Sequence, residues 1–506
     1  MSHEANAPAG IANRSCPARA WPAAAIVTMA VAVLGTSFCF AGLPSDSEPL
    51  NLVWTTQVGD AFAHGELYPR WLPRSFGGLG APVFYFYPPL AFFLSGVLKF
   101  AGLSAEQAVN GAALVILVAS GSAMYAWLRH RGTRPLLGAL IYMVAPYHLV
   151  DFYARGDLAE FGGFVWLPLI ALGLDGLRKP WGAPLLAVAW AALILTHLPT
   201  AVLATVFLIC PLALLAIWKN QKVILPGLAA ATLGLGLAAI YLLPALTLQS
   251  HVNMDLLWTE KYRTENWFIW KWRNPPLFLL CLPLAAASAI LVSLRARSFW
   301  SVLTVTAALA AFGLLPIWAI PPLNKMQFPW RALGIMEFAA VTALAAAPPR
   351  PIVTAAAIAL AIQSYGMTGL IVWAAIGFPK PWYDKILFSM DDAVEYLPAG
   401  LAAAGIRRLP NLERYQRLPA ANPVIVVQKP GPMTLRLAAF PIWRITRDGK
   451  PVASHGPLLT FDGTPGVYRL ERVATPQETL GAMVSALALL ATLSWWAVSH
   501  RRGSRP

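Results

Sequence analysis

Runs of about 20 apolar residues recur along most of the chain, separated by short polar or basic links. That is the length a helix needs to cross a hydrocarbon core of ~30 Å. The candidate spans are residues 21–43, 106–128, 135–152, 161–177, 181–198, 200–218, 222–247, 276–294, 299–318, 330–347, 352–376 and 479–498. The first run follows a short segment with Arg14 and Arg19 and is long for a signal peptide. This favours an uncleaved span over cleavage near Cys39-Phe40-Ala41. The pattern changes beyond residue 424, where Val424–Gln428, Thr434–Phe440, Trp443–Thr446, Leu458–Phe461 and Val467–Arg472 read as strands. Asp448-Gly449 is a strong hairpin signal between two of them.

The pattern predicts an all-α polytopic membrane protein of about 12–13 transmembrane helices with a small extracytoplasmic β-sandwich. Residues 1–20 form a cytoplasmic tail and 21–377 a multi-span module with an outer loop at 44–105. An outer domain follows at 378–478, then the last span at 479–498 and a basic tail at 499–506.

Charge orients this arrangement. The links at His130–Arg134, Arg178-Lys179, Lys219–Lys222, Arg295–Arg297, Arg350 and His500–Arg502 all fall on one side. The positive-inside rule makes that side the cytoplasm and leaves both termini there. Residues 83–101 are apolar enough to span, but a crossing there would carry every later basic link outside. They therefore read as a re-entrant or interfacial element, with a true extra span as the alternative.

Composition supports the class. The 506 residues are 58% hydrophobic and 12% charged, with a mean hydropathy of +0.58. A net charge of +15 spread over short links does not indicate nucleic acid. Cys16, Cys39, Cys210 and Cys281 show no metal-like spacing and no disulfide framework.

Several charges break the orientation rule. Arg70, Arg74, Arg155, Lys261, Arg263, Lys271, Arg273, Lys325 and Arg331 fall on the outer face close to span ends. As a set they suit an anion at the outer leaflet, a phosphate above all, with snorkelling to lipid headgroups as the bland alternative. Leu50, Val53, Trp54, Val58, Ala61 and Phe62 recur at helical spacing, predicting an amphipathic helix along the membrane surface. Asp46 and Glu48 precede it, either as caps or as carboxylates able to take a proton from an acceptor hydroxyl. The segment Asp151–Glu160 packs five ionisable side chains, counting Tyr153, between two spans. Asp157 and Glu160 share a helical face in it, either as a capping-box pair or, with Arg155 beside two or three carboxylates, as a mutually tuned site. His197 reads as a helix-end hydrogen bonder rather than a ligand.

Gly65-Glu66-Leu67-Tyr68-Pro69-Arg70-Trp71 and Gly77–Leu90, which contains Tyr87, resemble a pattern of bacterial multi-span proteins. These are often labelled 6-pyruvoyl-tetrahydropterin-synthase-related membrane proteins and are similar to the GT-C class of glycosyltransferases. Tyr153-x-Arg155-x4-Glu160, Gln327-Phe328-Pro329-Trp330-Arg331 and the hairpin around Trp443 look like further segments of that family. The resemblance implies a GT-C-like fold in the bacterial inner membrane and a polyprenyl-phosphate sugar lipid as donor. It also implies a glycan or lipid acceptor outside the cytoplasm. It makes Asp46 the loop-1 acid, with Glu48 second, although Asn51 stands where many members carry a His.

On that reading the catalytic set is Asp46, Glu48 and Glu160. The substrate-binding set is Arg70, Tyr87, Arg155, Asp157, Lys261, Arg263, Gln327 and Arg331. No metal-ligand cluster shows in the sequence; because some members use a divalent cation, Mg or Mn stays open. The rival readings are a transporter or flippase of a lipid-linked or anionic solute, and a non-catalytic cell-envelope glycan assembly factor.

Overall fold

A computed structural model describes residues 21–39, 45–271, 296–347, 392–406 and 423–503, with a few isolated positions at 286–294 and 351–369. The expected spans at 276–294 and 352–376 lie almost wholly outside the described residues. The described chain is mostly helical, with a small β-domain near its C-terminal end. Five described helical stretches are long and apolar enough to cross a membrane: Ala105–His130, Pro135–Arg155, Leu158–Asp175, Leu198–Lys219 and Pro476–Val498. A sixth is broken, with Gln221–Leu237 and Ala239–Thr247 meeting at 66°.

The broken span is patched by side chains from elsewhere. Pro244 has no N–H, so the Ile240 carbonyl loses its helical donor. The Nη2 of Arg70 donates to that carbonyl at 2.8 Å instead. Ser485, on the final helix, accepts from the Ile240 N–H at 2.8 Å. Its hydroxyl also lies 3.0 Å from the carbonyls of both Gly236 and Leu237. In hydrocarbon an unmet backbone group is expensive, so a break survives where partners meet it.

Other expected spans are shorter than the apolar runs suggested. Trp21–Leu34, Gly182–Thr196 and Phe299–Ala311 are all short apolar helices. Within residues 83–101, Tyr87 is extended and Pro88-Pro89 interrupts the chain, leaving Leu90–Phe100 as an 11-residue helix. It rises about 16 Å, roughly half a hydrocarbon core.

The loop-1 helix runs Glu48–Ala63 with Pro49 in its first turn. It differs from the expected surface helix, because Glu48, Asn51, Leu52, Trp54, Thr55, Gln57 and Val58 are all buried. Trp54 packs edge-on against Phe84, Tyr87 and Phe92. Its indole N–H donates to Asp392 at 2.8 Å, tying the 392–406 segment onto loop 1. The helix is therefore a packed strut.

The β-domain has β1 Val424–Val427, β2 Gly431–Ala438, β3 Trp443–Arg447, β4 Lys450–Val452, β5 Leu458–Gly463 and β6 Gly466–Arg472. One sheet runs β1-β6-β3-β4 and the other pairs β2 with β5. Ile425, Val427, Ile445, Tyr468 and Leu470 from the first meet Leu435, Leu459 and Phe461 from the second. Two layers around one apolar core is the expected sandwich. β3 and β4 pair Arg447 with Lys450, so Asp448-Gly449 forms a two-residue turn with φ of 50° and 72°. Positive φ at both positions is the signature of the turn that matches strand twist.

The glycine-rich part of loop 1 seats this domain. Ala438 N–H donates to Leu79 O at 2.9 Å, and Arg436 Nη2 donates to Gly77 O at 2.6 Å. Trp71 packs against Trp443 and Phe440.

Candidate functional site

The site is built on a wide helical turn, Asp151–Arg155, that ends the helix starting at Pro146. Such widened turns are often found at functional sites. Gly156 stops it with φ 63°, and Asp157 then caps the next helix, Leu158–Gly163. One Asp157 oxygen accepts from the Glu160 N–H at 3.0 Å, the cap the sequence suggested. The other faces Arg155 Nη2 at 3.2 Å and Arg331 Nη2 at 3.4 Å. Capping and charge pairing are thus both made by one side chain.

Glu160 sits at the centre and is fully buried. Its Oε2 accepts from Arg331 Nε at 2.8 Å and from Arg155 Nη1. Its Oε1 accepts from the Tyr147 hydroxyl at 2.7 Å. Arg155 Nη1 also reaches Asp151 at 2.5 Å and the Tyr147 hydroxyl at 3.1 Å. Three carboxylates therefore surround two guanidinium groups. At such burial charges persist only when paired and hydrogen-bonded. Burial by itself would raise Asp157, but His197, Arg155 and Arg331 outweigh it and hold the carboxyl below its ordinary range.

Aromatic rings close one side. Phe328 lies under both guanidiniums, its ring centre 5.5 Å from Arg155 and 4.9 Å from Arg331. Trp267 packs edge-on to Phe328 at 4.8 Å, and Thr264 bonds Met326 O. The 249–271 loop is thereby pinned over the 323–331 segment. Tyr87 approaches from loop 1; burial pushes its hydroxyl well up, Asp157 adds to this and Arg331 opposes it.

Loop 1 docks on the back of the same turn. Ser47 N–H donates to Arg155 O at 2.9 Å, and Asp46 N–H to Ala154 O at 3.4 Å. Asn51 Nδ2 donates to Gly156 O at 2.6 Å and to Glu48 at 3.4 Å. Asp46 is exposed and Glu48 buried. A Cβ on Gly156 would overlap Ser45, so glycine permits the close approach.

The structure thus gathers Arg155, Asp157, Glu160 and Arg331, with Tyr87 within electrostatic reach and Asp46 and Glu48 behind. Gln327 is half-buried next to Phe328. Arg70 stands in a different cluster. Its Nε lies 3.4 Å from Glu478, which also accepts from Arg472 and Tyr85, each at 2.9 Å. Arg74, another outer-face exception, pairs with Asp60. Arg263 is exposed on the 249–271 loop, and the side chain of Lys261 lies outside the described residues.

Sequence reasoning had Asp151 among the carboxylates beside Arg155 but missed Tyr147 and Asp392 as partners. Tyr147 lies within an apolar run and Asp392 far along the chain in the expected outer domain, so pattern gave no signal for them. It also set His197 aside as a helix-end bonder. That is met in part, because its Nδ1 lies 2.7 Å from Thr200 Oγ1, yet its Nε2 is 3.9 Å from Asp157. Ligand atoms of Asp157, Glu160 and His197 lie within 4.8 Å of one another. The donor set nonetheless fits a divalent cation poorly. Both carboxylates already pair with Arg155 and Arg331, and a bound ion would sit near two guanidinium charges.

Fold and apolar helices together define a multi-pass membrane protein with a small β-sandwich and a buried carboxylate–guanidinium cluster. No family model matches the chain, and no curated protein matches it. Among solved structures it is similar to the mycobacterial arabinofuranosyltransferase AftD, determined by single-particle cryo-electron microscopy. The identity is 19% and the TM-score 0.42, over 72% of this chain and 27% of that one. A mutant of the same protein matches at 17% identity and a TM-score of 0.42, over 72% and 28%. The chain thus spans little more than a quarter of either structure. At this distance no residue role transfers, and the chemistry has to be read from the side chains present.

Proposed function

We propose that the chain is a glycosyltransferase of the bacterial inner membrane, with both termini in the cytoplasm. It would move a sugar from a polyprenyl-phosphate-linked donor to an extracytoplasmic glycan, lipid or protein acceptor. One observation carries this reading: the acidic start of loop 1 is bonded through Ser47 to the turn that holds Arg155. Two segments about a hundred residues apart are thereby joined, and an exposed carboxylate, Asp46, is fixed by its backbone next to the turn that carries one of the two buried guanidiniums. The Arg155 segment is also one in which the sequence resembles the pterin-synthase-related membrane proteins, and that resemblance makes Asp46 the loop-1 acid.

In the proposed reaction Asp46 accepts the proton of the acceptor hydroxyl as it attacks the anomeric carbon. Glu48, behind it, backs Asn51. Arg155 and Arg331 stabilise charge developing on the leaving lipid phosphate. Both arginines enter already paired, so phosphate competes with Asp157 for Arg331 Nη2, where the bond is long. Glu160 holds the two guanidiniums in register. Arg263 and Lys261 would approach the donor from the loop pinned by Thr264.

A second reading, a non-catalytic envelope-glycan assembly factor, is favoured by that same saturation of Arg155 and Arg331. Lipid-linked sugars and envelope glycans from strains carrying Asp46→Asn or Arg155→Ala, at normal protein levels, separate the two. Loss of product in both supports transfer, and unchanged product in both removes this mechanism. Sugar binding without turnover by the reconstituted wild-type chain would favour the assembly factor.

A further inference from the structure

A cavity opens among residues other than those of the charged cluster. It encloses about 690 Å³ between residues 249–258 and 397–405, within the range of small-molecule sites. Its walls are held together by backbone. Val252 bridges Pro398, and Asn253 N–H donates to Leu397 O at 2.9 Å. Gln249, Ser250 and Asp255 line it beside Trp258. The Lys325 ammonium lies 4.1 Å over the Trp258 ring, orienting the indole.

We propose that this groove is a carbohydrate-binding subsite. An amide, a hydroxyl and one carboxylate suit the hydroxyls of a neutral sugar, and an indole face suits its C–H face. Asp255 is the lone ionisable group among the described lining residues, and the nearby Lys325 ammonium is already seated on the Trp258 ring, which suits a neutral sugar better than an anionic headgroup. The wall also leads to the cluster. Leu397 follows Tyr396, whose ring lies 6.4 Å from that of Tyr87, and Tyr87 in turn feels Asp157 and Arg331. Assigning the bound sugar as the acceptor rests on the transferase reading; sugar binding itself does not.

The test uses the full chain in lipid nanodiscs, free of sugar detergents, with methyl hexopyranosides and methyl pentofuranosides as probes. Saturation-transfer difference NMR reads binding, and a melting curve confirms that each variant is folded. Wild type should transfer saturation to at least one glycoside. Trp258→Ala or Asp255→Asn should weaken it about tenfold, the scale of one lost aromatic contact. Absence of binding to wild type, or equal binding by both variants, overturns the proposal. Binding that depends on Trp258 in a chain without turnover would sink the transferase reading and leave this one standing. Turnover without glycoside binding would do the reverse.

Discussion

Arg331 places its Nε 2.8 Å from Oε2 of Glu160, joining segments 171 residues apart. The same oxygen accepts from Arg155, and Tyr147 takes the other. Glu160 is therefore the shared anion of two buried cations, and the geometry of both depends on it.

Glu160→Gln should be costly for this reason. It leaves two guanidiniums short of a charge in a site where water does not compensate. Breaking a buried pair costs about 3–5 kcal/mol, so the variant should unfold at markedly lower temperature or denaturant than wild type. Glu160→Asp should recover part of the loss. Unfolding of Glu160→Gln in lipid bicelles at the wild-type midpoint would contradict the arrangement.

Gly156→Ala tests the docking of loop 1. Its φ of 63° is unfavourable for a side chain, and the new methyl would press on Ser45. The bonds from Ser47 to Arg155 and from Asn51 to Gly156 should lengthen, moving Asp46 away from the cluster. Transfer activity should fall by about tenfold or more while the chain still accumulates, given an expected stability cost of about 1–2 kcal/mol. Activity at the wild-type level would show that this contact is dispensable.

Asp157 sets a pH dependence. Its carboxyl is held below its ordinary value of 3.8. Such a group stabilises the fold above its unfolded pKa, and the contribution disappears as pH falls through the folded value. Thermal stability should hold between about pH 7 and about pH 5 and decline below about pH 4. In Asp157→Asn that acid decline should be shallower. Identical acid limbs for both proteins would rule the linkage out.

Ser485→Ala probes the broken span. It removes the acceptor of the Ile240 N–H and the hydroxyl facing the Gly236 and Leu237 carbonyls. Stranding a buried donor costs about 1–3 kcal/mol. Hydrogen exchange at Ile240 should accelerate accordingly, whereas an unchanged rate would mean that another group meets the break.

Much of the architecture was legible in the residues themselves. A bilayer forces backbone groups to be satisfied within each helix, so apolar length betrays a span. The β-domain announced itself the same way, because strand alternation and the Asp448-Gly449 turn are local properties. The shortness of Gly182–Thr196 and the 66° break after Leu237 were not legible, since both depend on what neighbouring segments supply. Loop 1 misled for a related reason. The spacing of Leu50, Trp54 and Val58 marks a helix face but does not say how many sides will be covered. Here Asp392 and Tyr396, more than 300 residues later, cover another.

The charges divide along the same line. Sequence alone set Arg70, Arg155 and Arg331 apart as cations out of place near span ends. Only the tertiary structure decided that Arg155 and Arg331 share Glu160, while Arg70 turns to Glu478 and to the carbonyl exposed by Pro244. Spacing along a chain fixes which residues share a helix face. Which distant carboxylate a guanidinium meets is fixed by helix packing, and no local pattern encodes that.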